Sequence, residues 1–164
     1  MDNLWTNIND NIPMYMNEIC KKYKLECVKI SPLKTAMVGD RFAIMFAIDR
    51  FDIEIYYLYQ KDRDMVKYTC GSFFAQAYDS QDRENLLSGE GADIYIKNCL
   101  LIAAKGLASK WENVLEGDTK WLEKYKSSSR YAKQNMTADE RAVFKKYFGE
   151  ISPLGVFKNI SKQN

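Results

Sequence analysis

Residues 25–76 restrict the fold of this 164-residue chain more than any other part of the sequence. They contain five segments rich in valine, isoleucine, tyrosine and phenylalanine, the composition that is typical of β-strands. These segments cover positions 25–30, 35–38, 41–49, 53–59 and 65–76. The interruptions between them are two to five residues long, whereas a connection between parallel strands needs about a dozen residues or more. The sequence therefore predicts an antiparallel meander of four or five strands.

The hydrophobic pattern within two of these segments predicts how the sheet is covered. Residues 42–48 are apolar at every position, which is typical of a central strand that is buried on both faces. In the next segment, Asp52, Glu54 and Tyr56 alternate with apolar residues. This period of two indicates a strand with one face toward solvent.

Helical patterns precede and follow the predicted sheet. Apolar residues at helical spacing predict a helix over residues 3–24, with a break near residue 12 because Pro13 fits the start of a second helical piece. The spacing from Ile96 to Leu115 predicts a long helix, and a short helix around Trp121 follows it.

Thr137 and Glu140 match a capping box, in which a threonine and a glutamate three residues later satisfy each other's backbone N–H groups. We expect the helix that they open to end at Gly149, with Lys145 and Lys146 in its last turns.

These elements together predict an α+β fold. It has an N-terminal helix, an antiparallel meander sheet of four to five strands, and then three to four C-terminal helices packed on one face. We expect a single α+β domain over residues 3–150. Residues 151–164 are predicted to form a C-terminal tail that can dock through Val156, Phe157 and Ile160.

The absence of histidine limits the catalytic mechanisms that the chain could use. The chain has none, and imidazole is the usual base in mechanisms that use a serine or cysteine nucleophile. We therefore expect a non-enzymatic protein with no catalytic residues. Because nucleotide-binding and metal-binding motifs are also missing, we expect no metal and no cofactor.

Charge is divided unevenly along the chain. Residues 1–118 hold 14 basic and 18 acidic residues, a net charge of −4, and residues 119–164 hold 10 and 4, a net charge of +6. An acidic face with exposed aromatic side chains suits a basic protein partner, because charge speeds association and aromatic anchors hold the complex. The residues expected on this face are Asp49, Asp52, Glu54, Tyr56, Asp79, Asp82, Glu84 and Glu90.

This profile predicts a small cytosolic protein-binding module. A bacterial immunity protein, an inhibitor that neutralises a basic nuclease toxin, has such a profile, although no motif here identifies a family. We expect a monomer or a weak dimer.

A nucleic-acid-associated protein is the first alternative. Residues 120–146 hold eight basic and three acidic residues, interleaved with aromatic residues. Helical spacing assigns most of these aromatic side chains to a core. The residues that would contact nucleic acid are Lys124, Lys126, Arg130, Tyr131 and Lys133.

A magnesium-dependent phosphoryl-transfer enzyme is the second alternative. Asp49, Asp52 and Glu54 could place carboxylates on one face, and carboxylate oxygens are ligands that Mg²⁺ prefers. Restriction-type nucleases add a lysine two residues after the second acid, a position that Tyr56 occupies here.

Cysteine usage and the termini predict the compartment. Cys20, Cys27, Cys70 and Cys99 show no metal-binding spacing. The N-terminus has no signal-peptide pattern and no segment is long and apolar enough to span a membrane. We therefore expect free thiols in a cytoplasmic protein that does not associate with membranes.

Overall fold

The computed structural model describes residues 2–149 of the chain. The predicted tail, 151–164, and the last residue of the predicted domain lie outside these described residues. The helices within them are α1 (Asp2–Asp10), α2 (Ile12–Tyr15), α3 (Asn17–Tyr23), α4 (Gly71–Ala75), α5 (Ala92–Lys110), α6 (Glu112–Leu115), α7 (Trp121–Lys126) and α8 (Ala138–Phe148). The strands are β1 (Glu26–Ser31), β2 (Lys34–Val38), β3 (Phe42–Ile48), β4 (Ile53–Lys61), β5 (Asp64–Thr69) and β6 (Lys133–Gln134). A 3-10 turn lies at Gln81–Arg83.

The strands form one antiparallel sheet in the order of the sequence, β1-β2-β3-β4-β5-β6. The predicted α+β class and the antiparallel meander are confirmed. The sixth strand was not predicted, because Lys133 and Gln134 come from a polar segment that carries no strand pattern. They pair with Tyr68 and Lys67 on the far side of β5.

Strand β3 lies at the centre of two hydrophobic cores. Ile44 and Phe46 face the first core, whereas Ala43 and Met45 face the second. These side chains are all fully buried, as the uniformly apolar pattern predicted. The first core contains buried side chains of α1–α7, and the largest of them include Ile12, Phe74, Leu100, Trp121 and Tyr125.

The last helix does not share this face. Phe144 of α8 is fully buried in the second core, where it joins Met136 and Leu58. The expectation that all C-terminal helices pack on one face therefore fails for α8. The physical reason is the two-sided hydrophobicity of β3, which leaves a second apolar face for another element to cover.

A buried charge cluster fixes α8 to this second face. Glu140 has no exposed surface, and its carboxylate accepts hydrogen bonds from Lys34 Nζ on β2 and Lys67 Nζ on β5, both at 2.8 Å. It also completes the predicted capping box with Thr137. Burial opposes the negative charge of Glu140, but the two lysines hold the pKa of its carboxyl below the usual range.

The fifth predicted strand, 65–76, is wrong beyond Thr69. Residues Gly71–Ala75 form α4, and Phe73 and Phe74 are both buried in the first core. On a strand these adjacent rings would point to opposite faces. A helical turn lets both reach the same core, where each contacts Trp111 and Trp121.

The predicted break in the N-terminal helix is confirmed. Asn11 separates α1 from α2, and Pro13 lies in the first turn of α2, where a missing backbone N–H costs no hydrogen bond. A further break at Met16 separates α2 from α3. Lys24 then adopts a left-handed conformation that ends α3 and turns the chain into β1.

We predict that Glu140→Gln lowers the free energy of unfolding by about 3 kcal/mol at pH 7, because it leaves the buried Lys67 without a carboxylate, whereas Lys34 keeps its ion pair with Asp139. Urea denaturation measures this change. The control is Glu18→Gln, which alters an exposed glutamate in the first turn of α3 and should change stability by less than about 0.5 kcal/mol. Equal effects in the two variants would contradict a stabilising role for the cluster.

The direction in which pH changes the stability difference between the wild type and Glu140→Gln follows from the pKa of Glu140. Because the folded state lowers the pKa of Glu140 from its ordinary value of 4.5, its stabilisation is complete above that value and is lost as the pH falls through the lower folded-state pKa. The stability gap between the wild type and Glu140→Gln should therefore shrink as the pH is lowered below about 4. A gap that stays constant down to pH 2 would contradict this assignment.

Candidate functional site

The turn between β3 and β4 is held by the carboxylates of two predicted site residues. Asp49 Oδ1 accepts a hydrogen bond from the backbone N–H of Arg50 at 2.6 Å, and Asp52 Oδ1 accepts one from Ile53 at 2.8 Å. The backbone of Asp49 also donates to the carbonyl of Asp52 at 2.8 Å. These bonds within the turn give it a defined shape.

Phe51 lies at the end of this turn and is 77% exposed, the largest exposed fraction among the large hydrophobic side chains of the described residues. The sequence pattern marked Arg50 and Phe51 only as an interruption between strands. Phenylalanine is an unusual residue for a solvent-facing turn. This feature of the sequence could have identified Phe51 as a candidate site residue.

The long helix α5 places a second exposed aromatic side chain beside the turn. Tyr95, near the start of α5, is 52% exposed. A hydrogen bond with Cys99 and the charge of Asp52 raise the pKa of Tyr95 to about 12, so its hydroxyl remains protonated at neutral pH. The side chain therefore offers an uncharged ring with a polar hydroxyl.

Glu54 follows the turn on β4 and is exposed. Burial of part of the side chain and the charge of Asp52 raise the pKa of Glu54, which indicates that the two carboxylates lie near each other. We refer to Asp49, Phe51, Asp52, Glu54 and Tyr95 as the tip surface. Glu54 lies on the second face of the sheet and Tyr95 on α5 at the first face, so this surface extends around the end of the sheet. With Arg50 included, it carries three carboxylates and one guanidinium.

Tyr56 does not belong to the tip surface. It is half-buried on the second face of the sheet, and Lys67 Nζ lies 4.3 Å from the centre of its ring. The alternation along β4 was predicted correctly, but α8 covers part of the face that the pattern assigned to solvent.

Three acidic residues of the 79–91 loop, Asp79, Asp82 and Glu84, lie along the second half of α5 and not with the tip surface. Asp82 is only 3% exposed and accepts hydrogen bonds from Ser109 Oγ at 2.6 Å and Lys110 Nζ at 3.0 Å. Asp79 forms an ion pair with Lys110 at 2.9 Å. Asp82 therefore does not lie on an exposed acidic face as expected, because its carboxylate anchors the loop to the end of α5.

The pKa values of these two aspartates agree with this anchoring role. A hydrogen bond from Lys110 lowers the pKa of Asp79. Burial opposes ionisation of Asp82, but bonds from Ser109 and Lys110 keep its pKa below the usual range. Glu84 and Glu90 remain exposed in the same loop, and Lys105 Nζ binds the backbone carbonyl of Glu84 at 2.6 Å.

The magnesium hypothesis finds no support in the geometry. Asp49, Asp52 and Glu54 do not form a group that could hold a metal ion, and neither does any other set of three or more acidic or cysteine side chains within residues 2–149. Asp49 and Asp52 instead use their carboxylates to bind backbone N–H groups of the turn.

The basic region separates into two sets of residues. Lys126, Tyr131 and Lys133 line a groove of about 1130 Å³, which we call the Tyr131 groove. Lys124 and Arg130 are exposed but do not line it. The other charged side chains of its lining are Lys61, Arg63, Asp62, Asp64 and Glu123.

A second cavity was not predicted from the sequence. It has a volume of about 740 Å³, and its lining includes Lys24, Arg41, Tyr57, Tyr59 and Thr119. Tyr59 and Thr119 also line the Tyr131 groove, so the two spaces share a wall. Tyr57 is fully buried and its hydroxyl has no hydrogen-bond partner among the residues that the structure describes. This burial raises the pKa of Tyr57 above the usual range.

Comparisons with protein-family models, with curated proteins and with solved structures gave no match to this chain. No residue role is therefore carried over from a relative. Within the described part of the chain, no helix has both the length and the apolar character needed to cross a membrane.

Two buried tyrosines provide a matched test of the unpartnered hydroxyl in the cavity. We predict that Tyr57→Phe raises the free energy of unfolding by about 1 kcal/mol, because a buried hydroxyl without a partner is removed. Tyr125→Phe should lower it by about 2 kcal/mol, since the Tyr125 hydroxyl bonds to the carbonyls of Thr69 and Ala132 and to the Ala132 N–H. Urea denaturation measures both changes, and destabilisation by Tyr57→Phe would show that its hydroxyl is bonded in the folded protein.

Proposed function

We propose that this protein is a non-enzymatic protein-binding module that neutralises a basic partner through the tip surface. The observation that carries the proposal is the exposure of Phe51, an aromatic side chain held in solvent by a hydrogen-bonded turn. Such a side chain suits the role of an interface anchor, because burying an aromatic ring in a partner's pocket supplies a large share of binding energy. The turn is already ordered, so little entropy is lost on binding.

The charges around Phe51 favour a basic partner. Asp49, Asp52 and Glu54 are all exposed next to it, and Arg50 offsets only one of their charges. Carboxylates at the rim of an interface accelerate association with a positively charged protein. A nuclease toxin has such a surface, because it must bind a polyanion.

We therefore favour a cytoplasmic inhibitor of the bacterial immunity type. The four cysteines are free thiols, which suits a reducing compartment. The chain would act as one copy bound to one partner. It needs no catalytic group for this function, since inhibition requires only that the partner's active surface be covered.

We predict that Phe51→Ala weakens binding to a basic partner about 30-fold, the effect of losing about 2 kcal/mol from an anchor residue. The partner is obtained by co-purification from the protein's own cytosol, and calorimetry with both purified proteins measures affinity. The control is Met14→Ala, which removes a side chain that is 66% exposed on α2 and should leave affinity unchanged. Equal affinities for the two variants would exclude the tip surface as the contact.

The carboxylates can be tested without disturbing the turn. Asn at positions 49 and 52 keeps the oxygen that accepts the backbone hydrogen bond but removes the charge. The double variant Asp49→Asn, Asp52→Asn should associate more slowly and should lose part of the dependence of the association rate on salt. An unchanged rate at low salt would contradict charge-guided binding.

Binding of single-stranded nucleic acid in the Tyr131 groove is the second candidate function. The observation that favours it is the grouping of Lys126, Tyr131 and Lys133 around one groove, with Tyr131 42% exposed and able to stack on a base. Three carboxylates in the same lining offset most of its positive charge, and this is why we rank it second.

If this second function holds, removing groove lysines must change the salt dependence of binding. Lys126→Ala with Lys133→Ala should reduce the slope of log affinity against log salt by about 1.4 for a single-stranded oligonucleotide. Lys124→Ala with Arg130→Ala is the control from the same region outside the groove, and should leave that slope unchanged. Fluorescence anisotropy measures both, and identical behaviour of the two double variants would exclude the groove as the binding site.

A further inference from the structure

Two of the four cysteines form a close thiol pair. Cys20 lies in the last turns of α3 and Cys27 near the start of β1, and their Sγ atoms are 3.4 Å apart. Both side chains are half-buried. A disulfide has a sulfur–sulfur bond of about 2.05 Å, so the two atoms need to move little more than 1 Å to bond.

The backbone holds the two thiols next to each other. Lys24, in a left-handed conformation, donates its N–H to the carbonyl of Cys20, and Leu25 donates to the same carbonyl at 3.0 Å. Only three residues separate Tyr23, the end of α3, from Cys27. Cys27 is itself paired with Met37 in the sheet, so neither partner needs a loop rearrangement to reach the other.

The two thiols are not equivalent. The two Sγ atoms share a hydrogen bond in which either thiol can be the donor, and this bond lowers the pKa of the Cys27 thiol. The same bond and burial raise the pKa of Cys20. A thiolate is the reactive form of cysteine toward peroxides, and a neighbouring thiol can then resolve the oxidised sulfur.

The other two cysteines have neither a neighbouring thiol as a hydrogen-bond partner nor a lowered pKa. Cys99 is half-buried like the pair, but burial raises its pKa and its hydrogen-bond partner is the Tyr95 hydroxyl. Cys70 is fully buried, and burial raises its pKa to about 12. These two residues provide matched controls within the same chain.

We propose that Cys20 and Cys27 are a redox modification site that forms a reversible intramolecular disulfide on reaction with a hydroperoxide. The Cys27 thiolate attacks one peroxide oxygen, the O–O bond breaks, and Cys27 becomes a sulfenic acid as the first water is released. Cys20 then attacks the Cys27 sulfur, the S–S bond forms, the S–O bond breaks, and the second water leaves. Two thiols and hydrogen peroxide thus give one disulfide and two waters, with two electrons passing to the peroxide.

The disulfide would link the end of α3 to an edge strand of the sheet. Strand β1 is the first strand of the six. Two residues that follow Cys20 on α3, Lys22 and Tyr23, line the cavity of about 740 Å³ together with Lys24. The bond therefore ties one wall of that cavity to the sheet. This modification does not depend on the identity of any partner.

Peptide mass spectrometry after treatment with hydrogen peroxide tests the proposal on the full-length protein. We expect a Cys20–Cys27 disulfide, a fall from four reactive thiols to two after denaturation, and full recovery with a dithiol reductant. Cys99→Ser and Cys70→Ser should form the same disulfide at the same rate. Oxidation of Cys99 as fast as the pair, or no bond between Cys20 and Cys27, would overturn the proposal.

Two further variants separate the roles of the paired thiols. Cys20→Ser should leave Cys27 as a sulfenic acid that a dione probe traps, because its resolving partner is gone. Cys27→Ser should react with peroxide at least ten times more slowly, a change that corresponds to loss of the activated thiolate. Circular dichroism establishes that each variant is folded, and the opposite order of reactivity in the two variants would contradict the assigned roles.

Discussion

Strand β3 packs against other elements on both of its faces, and this packing places the helices on either side of the sheet. Alternate side chains of this strand enter two separate cores, so the sheet has no free face at its centre. Helices α1–α7 bury the first face, and α8 with Met136 covers the second. With both faces occupied, the functional surfaces have to come from turns, from the ends of the sheet and from the spaces between layers.

This arrangement divides the acidic residues into a buried group and an exposed group. Glu140 is buried between two lysines and Asp82 is bonded to Ser109 and Lys110. Both carboxylates connect secondary-structure elements of the protein, and neither is accessible to a partner. The carboxylates of the tip surface, by contrast, are exposed beside Phe51. Because some acidic side chains are used inside the protein, the proposed partner contact contains fewer carboxylates than the acidic face that was expected from the composition.

The fold class could be predicted because it depends on local patterns. Short interruptions between strand segments required antiparallel neighbours, and the apolar pattern of 42–48 required burial on both sides. The capping box of Thr137 and Glu140 was also visible, since its partners are three residues apart. What could not be predicted was the second role of Glu140, because Lys34 and Lys67 lie 106 and 73 positions away.

The candidate site was predicted less completely for the same reason. The acidic residues Asp49, Asp52 and Glu54 were identified, and the structure places them on one exposed turn and the strand after it. The burial of Asp82 could not be read from the sequence because Lys110 comes 28 residues later. The exposure of Phe51 was not predicted because a single apolar residue in a turn has no periodic pattern around it.

Site-specific photo-cross-linking in the protein's own cells distinguishes binding through the tip surface from binding through the Tyr131 groove. A photoreactive phenylalanine analogue replaces Phe51 in the tip surface, or Tyr131 in the groove, and the cross-linked products are identified after irradiation. A contact through the tip surface predicts a single basic protein cross-linked from position 51 and none from position 131. Cross-links to nucleic acid from position 131, with no protein captured from position 51, would contradict the account.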